Sequence, residues 1–312
     1  MTMAQAARSD GWQDSAVRAA AAAIRCYIQN CPWRFGKVWV WKVIWKYITC
    51  RSLEISARTR DGLVFVGSFP DSIHSFLYFF GVWEPAITAY LRSALKPGEV
   101  FIDIGANVGT HSLLASRLVG AFGRVHAIEA SPFIFNRLCG NLQRNGATNV
   151  RAYHVAVSDR SGPVPVFLHD ERNLGGTTIV AAEAALVHAM QEQVVEGRQL
   201  HDILPREEIC AARLIKIDVE GAEWLVLNGM RELLPALRPD AELLVEVNTR
   251  ALAAFGASFQ DLRAMFATAG FVPFQIANLY TPEFYVQSPP APVPLRGELA
   301  FGDLLLRRQN NH

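Results

Sequence analysis

A glycine-rich turn preceded by an acidic residue is the stretch whose spacing points most directly to chemistry. Asp103 lies near the end of an apolar run typical of a buried strand, and Gly105 and Gly109 follow it. Glycines at such a turn allow the backbone to approach a ligand closely. The spacing differs from the G-x-G-x-x-G of dinucleotide-binding proteins, and an anion opposes phosphate. The turn therefore favours a ligand with positive charge, such as the amino group or sulfonium of S-adenosylmethionine, with a tight turn capped by Asp103 as the alternative.

Two further carboxylates follow the next predicted strands. Glu129 ends the second strand, where a carboxylate can accept hydrogen bonds from both hydroxyls of a ribose. A cap for the helix that starts at Ser131 is the alternative for Glu129. Asp159 follows the third strand, where it either contacts an adenine amino group or forms a turn. The pairing of Asp103 with Glu129 indicates a cofactor that contains a nucleoside.

A charged cluster follows a strand that is otherwise apolar. Lys216, Asp218 and Glu220 come at the end of the fourth predicted strand, among isoleucine, leucine and valine residues. Unpaired charge is costly there, so these side chains need partners or a role. A Lys216–Asp218 ion pair is the structural interpretation, and an acceptor-binding or proton-accepting site is the functional one. His201, whose imidazole titrates near neutrality, is a second candidate base.

Metal ligands are not expected. Asp218, Glu220, Glu246 and Asn248 carry oxygen atoms that suit Mg²⁺, but they form no dense ligand motif, so we predict no metal site. Glu246 and Asn248 instead complete the predicted acceptor pocket. The five cysteines are far apart and include no C-x-x-C pair, which argues against zinc and a disulfide framework and favours a reducing, cytoplasmic setting.

Alternating strands and helices must position these residues. From Glu99 onward, apolar runs alternate with helical patterns, which is typical of a mostly parallel sheet with helices on both faces. The predicted strands are Val100–Ile104, Arg124–Glu129, Val150–Val157, Leu214–Asp218, Leu243–Val247, Phe271–Phe274 and Asp303–Leu306. An insertion at 161–213, with the polar loop 173–178, lies where an acceptor pocket would be shaped.

The chain divides into three predicted segments. These are a helical appendage rich in Trp and Lys (1–52), a lead-in hairpin and helix (53–98), and the main domain with its insertion (99–308). In the stretch 33–48, Lys42 and Lys46 share one helix face, while Trp and Ile cover much of the other. This pattern favours either a helix docked on the main domain or an interfacial helix that contacts a membrane peripherally.

Composition narrows the class of protein. Hydrophobic residues make up 51% of the 312 residues, which excludes a mainly disordered chain. The net charge of +1 and the absence of a Lys/Arg run argue against nucleic acid as a partner. No apolar window is long enough to span a bilayer, and no signal peptide is recognisable.

The sequence resembles the FkbM-type S-adenosylmethionine-dependent methyltransferases over about Gly81–Asn248. The runs that carry the resemblance are Gly81–Pro85, Phe101–Gly109, Glu129–Pro132 and Lys216–Glu223. The resemblance implies a class I methyltransferase fold, a Rossmann-like sheet of seven strands, and O-methylation of acceptors such as polyketides, sugars and glycolipids. The family usually has Leu-Asp-Asp where this chain has Leu200-His201-Asp202.

We therefore predict an S-adenosylmethionine-dependent O-methyltransferase acting on a small-molecule or saccharide acceptor. A catalytically silent nucleoside-binding module and a nucleotide-dependent oxidoreductase are the alternatives. The predicted catalytic residues are Asp218, Glu220 and Lys216. The predicted cofactor-binding residues are Asp103, Gly105, Ala106, Asn107, Gly109, Glu129, Ala130, Ser131 and Asp159.

Overall fold

The structure is a computed structural model that describes residues 3–34, 36–48, 53–168, 177–186 and 188–308. The chain forms two compact units. The first consists of Met1–Trp83 with Leu279–Pro289, and the second of Glu84–Asn278 with Pro290–His312.

The first unit is built around aromatic side chains. Its elements are α1 (Met3–Asn30), α2 (Lys37–Ile48), β1 (Leu53–Arg58), β2 (Val64–Phe69) and α3 (Ser72–Phe80). Strands β1 and β2 form the predicted antiparallel hairpin. Trp41 of α2 packs against Phe76, Phe79 and Phe80 of α3 at centroid distances of 5.3, 5.1 and 5.1 Å. The predicted N-terminal helices are therefore present, and they share a core with α3.

Helix α3 was not predicted from the sequence. Every residue from Ile73 to Phe80 is buried, so the segment lacks the alternation of apolar and polar faces that identifies a surface helix. Its ends follow ordinary capping rules. Asp71 accepts a hydrogen bond from the His74 amide at 2.9 Å, and Gly81 closes the helix in the left-handed region.

The second unit contains the large sheet that the strand pattern predicts. Its strands are β3 (Val100–Ile104), β4 (Arg124–Glu129), β5 (Val150–His154), β9 (Ala212–Ile217), β10 (Glu242–Asn248), β11 (Phe271–Ile276), β12 (Val293–Pro294) and β13 (Phe301–Arg308), and their order is β12-β11-β13-β10-β9-β3-β4-β5. Strands β5, β4, β3, β9 and β10 run parallel, and β13 pairs antiparallel with β10. The expected α/β fold with a mostly parallel sheet is confirmed, with the two-residue β12 as an eighth strand.

Helices follow β3, β4, β9 and β10 in the predicted alternation, and others lie before β3 and within the insertion. They are α4 (Pro85–Ala94), α5 (Thr110–Val119), α6 (Pro132–Arg144), α7 (Ala181–Leu186), α8 (Leu200–Ile203), α9 (Arg206–Ala211), α10 (Glu223–Gly229), α11 (Thr249–Ala254) and α12 (Phe259–Thr268). The central strands β3, β9 and β10 are buried on both faces, as shown by Phe101, Ile102 and Ile215, which have no accessible surface. Burying such a side chain contributes about 1.5–3 kcal/mol, so the sheet is a rigid platform for the loops at its edge.

The third predicted strand, Val150–Val157, is in fact two strands. Residues 150–154 form β5 in the large sheet, whereas β6 (Ala156–Val157) pairs with β8 (Met190–Arg198) in a three-stranded sheet completed by β7 (Gly162–Leu168). The insertion is therefore a folded hairpin of β7 and β8 with short helices. Most of the predicted polar loop 173–178 lies outside the described residues.

Candidate active site

The turn after β3 is shaped by close approach of two backbone segments. Gly105 has φ +81°, and a Cβ atom there would lie 1.7 Å from the carbonyl oxygen of Asp218. The amides of Gly105 and Ala106 both donate to the carbonyl of Ile128, at 2.9 and 3.0 Å. Only glycine fits this position, and the atoms that require it belong to the chain itself.

Asp103 is buried beneath this turn rather than placed at a helix cap. Its Oδ2 accepts a hydrogen bond from the Ser112 hydroxyl at 2.5 Å, and Gly109 is the residue that caps α5. The helix-cap interpretation of Asp103 is therefore wrong. Only 1% of Asp103 is exposed, and its Oδ1 has no hydrogen-bond partner within the described part of the chain. Burial raises the pKa of Asp103, while the Lys216 ammonium opposes the rise.

Glu129 joins the turn after β3 to the turn after β4. Its Oε2 accepts from the Asn107 amide and its Oε1 from the Ser131 amide, both at 2.9 Å. Burial raises the pKa of Glu129 to about 7, although these backbone donors lower it. Each carboxylate oxygen has further lone pairs, so Glu129 can accept additional hydrogen bonds.

The remaining predicted cofactor residues line the same two turns. Asn107 adopts φ 50°, and a Cβ at Gly109 would meet Leu138 Cδ1 at 2.6 Å, so both shape the turn before α5. Ser131 caps α6 by accepting from the Ile134 amide, and its hydroxyl donates to Glu192 at 2.7 Å. The structure thus brings Asp103, Gly105, Ala106, Asn107, Gly109, Glu129, Ala130 and Ser131 together at the ends of adjacent strands.

Asp159 has a structural role that the sequence left open. It is partly buried, its carbonyl accepts a hydrogen bond from the Gln199 side chain, and Ser158 donates to its carboxylate at 3.5 Å. A Cβ at Gly229 would lie 2.5 Å from the Ser158 carbonyl, so this turn packs closely on α10. Asp159 therefore forms a turn, and its contact with adenine stays a prediction.

Lys216 and Asp218 form the ion pair that the sequence suggested. The Lys216 ammonium donates to Asp218 Oδ2 at 2.7 Å, and Lys216 lies opposite Asp103 in the pairing of β9 with β3. Burial alone would lower the pKa of Lys216, but the carboxylates of Asp218, Asp103 and Glu84 outweigh it and raise the pKa. The Asp218 side chain keeps 24% of its surface exposed, so it is accessible to a substrate.

More carboxylates surround this ion pair than the sequence indicated. Oxygen atoms of Asp218, Glu220 and Glu246 all lie within 4.8 Å of one another. Asp303 of β13 lies opposite Glu246 in the sheet. Burial, followed by the neighbouring carboxylates, raises the pKa values of Glu220 and Glu246 well above the usual range.

Glu223 holds the turn that carries these groups. Its Oε1 accepts from the amides of Val219 and Gly221, both at 3.0 Å. Burial raises the pKa of Glu223 to about 7, against these backbone donors. The adjacent Glu220 has φ 51°, in the left-handed region that non-glycine residues rarely adopt.

Three buried polar residues of the site were missed from the sequence. Glu84 has φ 44° and accepts a hydrogen bond from the Asn278 side chain at 2.9 Å, and its other oxygen lies 3.5 Å from His111 Nε2. Burial, and then Lys216, lowers the pKa of His111 well below its usual range, so the ring is neutral. Asp303 is the third. A charged residue within an apolar strand was the available signal for Asp303, as it was for Lys216.

Two sequence candidates do not join the site. Asn248 uses its side-chain oxygen to cap α11, accepting from the amides of Arg250 and Ala251. His201 is exposed on α8, with its ring 3.8 Å from the Asp202 carboxylate. Neither side chain has a contact with Lys216 or Asp218 among the described residues.

Comparison with known proteins places this geometry in context. A family model described as the methyltransferase FkbM domain matches residues 103–273. The chain is 29% identical over 154 residues to the hexuronic acid methyltransferase AglP of Haloferax volcanii, covering 49% of this chain and 59% of that protein. It is 30% identical over 169 residues to the 31-O-demethyl-FK506 methyltransferase FkbM of Streptomyces tacrolimicus, covering 46% of this chain and 64% of that protein.

Solved structures give the same kind of match at lower similarity. The methyltransferase FkbM from Methylobacillus flagellatus superposes with a TM-score of 0.41 at 15% identity, over 76% of this chain and 55% of that one. The aligned part of the chain spans less than two thirds of the length of the two curated relatives.

Proposed function

Because the chain belongs to the FkbM methyltransferase family, we propose that it transfers the methyl group of S-adenosylmethionine to a hydroxyl oxygen of a small-molecule or saccharide acceptor. One observation carries the proposal. Asp103 and Glu129 lie on adjacent parallel strands, and Glu129 accepts a hydrogen bond from Asn107 in the turn that follows Asp103. A nucleoside with a positive charge at its far end matches this pair of anions.

The cofactor fits the residues that are present. The Asp103 oxygen that lacks a partner is an acceptor for the amino group of the methionine part, and Glu129 retains lone pairs for the ribose hydroxyls. The backbone at Gly105, Ala106 and Asn107 lines the approach between them. S-adenosylmethionine, when bound, supplies an electrophilic methyl group on a sulfonium sulfur, which passes to the acceptor oxygen and leaves S-adenosylhomocysteine.

Asp218 is the group that we assign to the acceptor proton. Its carboxylate is accessible, and the Lys216 ammonium fixes its orientation at 2.7 Å. A positioned carboxylate can take the proton as the new bond forms, because the acceptor oxygen becomes more acidic in the transition state. Glu220 lies close enough to serve instead, whereas His201 lies on an exposed helix beside Asp202.

The acceptor class is supported by the activities for which the relatives are named and by the charge of the chain. The two curated relatives are named for a hexuronic acid and for 31-O-demethyl-FK506, both of which are small molecules with hydroxyl groups. The net charge of +1 offers no general attraction to nucleic acid. We assign the shaping of the acceptor pocket to the insertion, where Glu183 pairs with Arg250 at 3.0 Å.

Calorimetric titration of the full chain with S-adenosylmethionine, with NAD as a parallel ligand, tests the proposal. We expect saturable binding of S-adenosylmethionine that weakens at least about tenfold in Asp103→Asn and Glu129→Gln. Asp61→Asn, in the hairpin turn of the first unit, is the matched control and should bind normally. Binding of NAD alone, or wild-type affinity in both site variants, would overturn the assignment.

We further propose that α2 contacts an anionic lipid surface. Trp39, Val43 and Tyr47 follow one another at helical spacing and are exposed, Trp39 and Tyr47 each by 69%. With α1, this face lines an apolar cavity of about 470 Å³. Residues 15–48 contain six Lys or Arg and no Asp or Glu. Lys37 is buried and Lys42 pairs with Glu283, and the segment keeps a positive charge that complements anionic headgroups. No helix in the described ranges is long and apolar enough to cross a membrane.

Vesicle sedimentation of the full chain tests this contact. We expect cosedimentation with vesicles that contain phosphatidylserine, reduced at least about fivefold for the double variant Trp39→Ser/Tyr47→Ser. Phe122→Ser removes an exposed ring of the second unit and serves as the control. Equal sedimentation of wild type and double variant, or none of either, would contradict the proposal.

A further inference from the structure

We infer that Asp218, Glu220 and Glu246 bind a divalent metal ion of the class that prefers oxygen ligands, such as Mg²⁺, Mn²⁺ or Ca²⁺. Each residue offers one carboxylate oxygen, and these three atoms lie within 4.8 Å of one another. The ligands come from two adjacent elements, the turn after β9 and the strand β10. The sequence spacing argued against a metal, but the parallel pairing of these strands brings together residues that are far apart in the chain.

Glu246 is the observation that points to a ligand. Only 8% of the residue is exposed, and its side chain has no hydrogen bond or ion pair within the described ranges. An ionised carboxylate without a partner is costly in such a place. Its oxygen faces those of Asp218 and Glu220, and a cation bound between the three would compensate the charge.

The surrounding groups do not supply that compensation. Glu223 is held by backbone amides, and Asp303, the partner of Glu246 in the pairing of β10 with β13, adds a further carboxyl group and no positive charge. Lys216 is the cation beside the cluster, and its ammonium group already forms an ion pair with Asp218 at 2.7 Å. The site therefore holds more carboxyl groups than cations among the described residues, and a divalent cation would offset this excess.

The ligand set determines the class of metal. Carboxylate oxygens select hard cations, which bind at about 2.0–2.6 Å. Oxygens up to 4.8 Å apart can lie on opposite sides of one such ion after at most a small contraction. Asn248 is not a ligand, because its oxygen caps α11.

The role of the ion depends on the proposed function. A cation beside Asp218 makes a bound hydroxyl more acidic, so the acceptor proton leaves more easily to a neighbouring carboxylate oxygen. Such an ion also favours acceptors in which a second oxygen neighbours the methylated hydroxyl, as in a vicinal diol or a 2-hydroxy acid, because two oxygens can chelate it. The metal site therefore predicts which acceptors are methylated.

Binding of the metal alone to the full chain is the test. After treatment with EDTA and buffer exchange, calorimetry with MgCl₂, MnCl₂ and CaCl₂, and the electron paramagnetic resonance of Mn²⁺, should show one saturable site without S-adenosylmethionine. We expect Glu246→Gln to weaken binding at least about tenfold. Glu298→Gln, which removes an exposed carboxylate bonded to Gln260, should bind normally.

A second variant distinguishes loss of metal binding from misfolding, and a second ligand distinguishes it from loss of cofactor binding. If Glu246→Gln is unfolded by circular dichroism, Glu220→Gln, at a less buried position, replaces it and should weaken binding similarly. No metal binding by the wild type up to millimolar concentrations, or equal binding by wild type and variants, would overturn the inference. Titration of the same samples with S-adenosylmethionine reports on the proposed function independently, so normal cofactor binding without metal binding refutes the metal site alone.

Discussion

The second unit contains two clusters of carboxylates, and the clusters differ in how their charges are compensated. On the cofactor side, after β3 and β4, Glu129 accepts two backbone amides and Asp103 accepts a serine hydroxyl. On the acceptor side, after β9 and β10, Glu220 and Glu246 have no such donors among the described residues. The first group is held by the fold and is ready for a ligand with hydroxyl and amino groups. The second requires a cation or a proton from elsewhere.

Because of this difference, substitutions on the two sides of this sheet edge should have different effects. Changes on the cofactor side should affect folding and cofactor affinity, because the same atoms hold the turns and face the ligand. Changes on the acceptor side should affect turnover with little effect on cofactor binding. Single substitutions can test whether effects on folding and cofactor affinity are separate from effects on turnover.

Gly105→Ala should have the largest effect, since a Cβ there would lie 1.7 Å from the Asp218 carbonyl oxygen. The free energy of unfolding should fall by about 4 kcal/mol or more, and cofactor binding should be lost. Chemical denaturation followed by circular dichroism measures this. Gly98→Ala is the matched control, because Gly98 has a similar φ of +88° but no atom within 4 Å of the added Cβ. It should cost only about 1–2 kcal/mol. Equal losses in the two variants would show that backbone strain, and not contact of the two turns, requires glycine.

Asp218→Asn should lower turnover by about 10²–10⁴-fold while the dissociation constant for S-adenosylmethionine changes by less than about twofold. The variant removes the proton acceptor but keeps the size of the side chain. Asp240→Asn, at an exposed carboxylate paired with Arg238, is the control and should retain full activity. Single-turnover kinetics with calorimetry on the same samples measures both quantities. A parallel loss of cofactor affinity would show that the two sides are coupled.

The strands on the cofactor side were predicted correctly from the sequence, whereas several groups on the acceptor side were missed. Strands Val100–Ile104 and Arg124–Glu129 were predicted with their observed bounds, because a continuous apolar run that ends in a turn has few other interpretations. Glu84 and Asp303 were missed because their proximity to Lys216 depends on contacts between distant segments. Asn248 was assigned to the pocket because the local capping role of its side chain was not recognised.

The limits of the sequence are also visible at α3 and at Val150–Val157. Helix α3 is buried all round, so no periodicity distinguishes it from a buried strand. The segment 150–157 has a strand pattern throughout, but its two halves join different sheets. Partner choice is a property of tertiary packing that a local pattern does not contain.

The smallest predicted effect concerns the pH dependence of cofactor affinity through Glu129. Burial raises the pKa of Glu129 to about 7, so the group is protonated in the folded chain below that pH and ionised above it. The ionised carboxylate is the stronger acceptor for ribose hydroxyls. The dissociation constant for S-adenosylmethionine should therefore increase by about threefold to tenfold as the pH falls from 8 to 6.

Glu129→Gln should remove most of this dependence, because the amide does not titrate in that range. The raised pKa of Glu129 affects the stability of the fold in the opposite direction. The folded chain binds the proton more tightly than the unfolded chain, so this group favours the fold at low pH and destabilises it as the pH rises toward 7. Calorimetric titrations and denaturation curves at pH 6, 7 and 8, for wild type and variant, measure both trends. If the two proteins have the same pH profile, another group controls affinity, and Glu129 acts only as the carboxylate that joins the two turns.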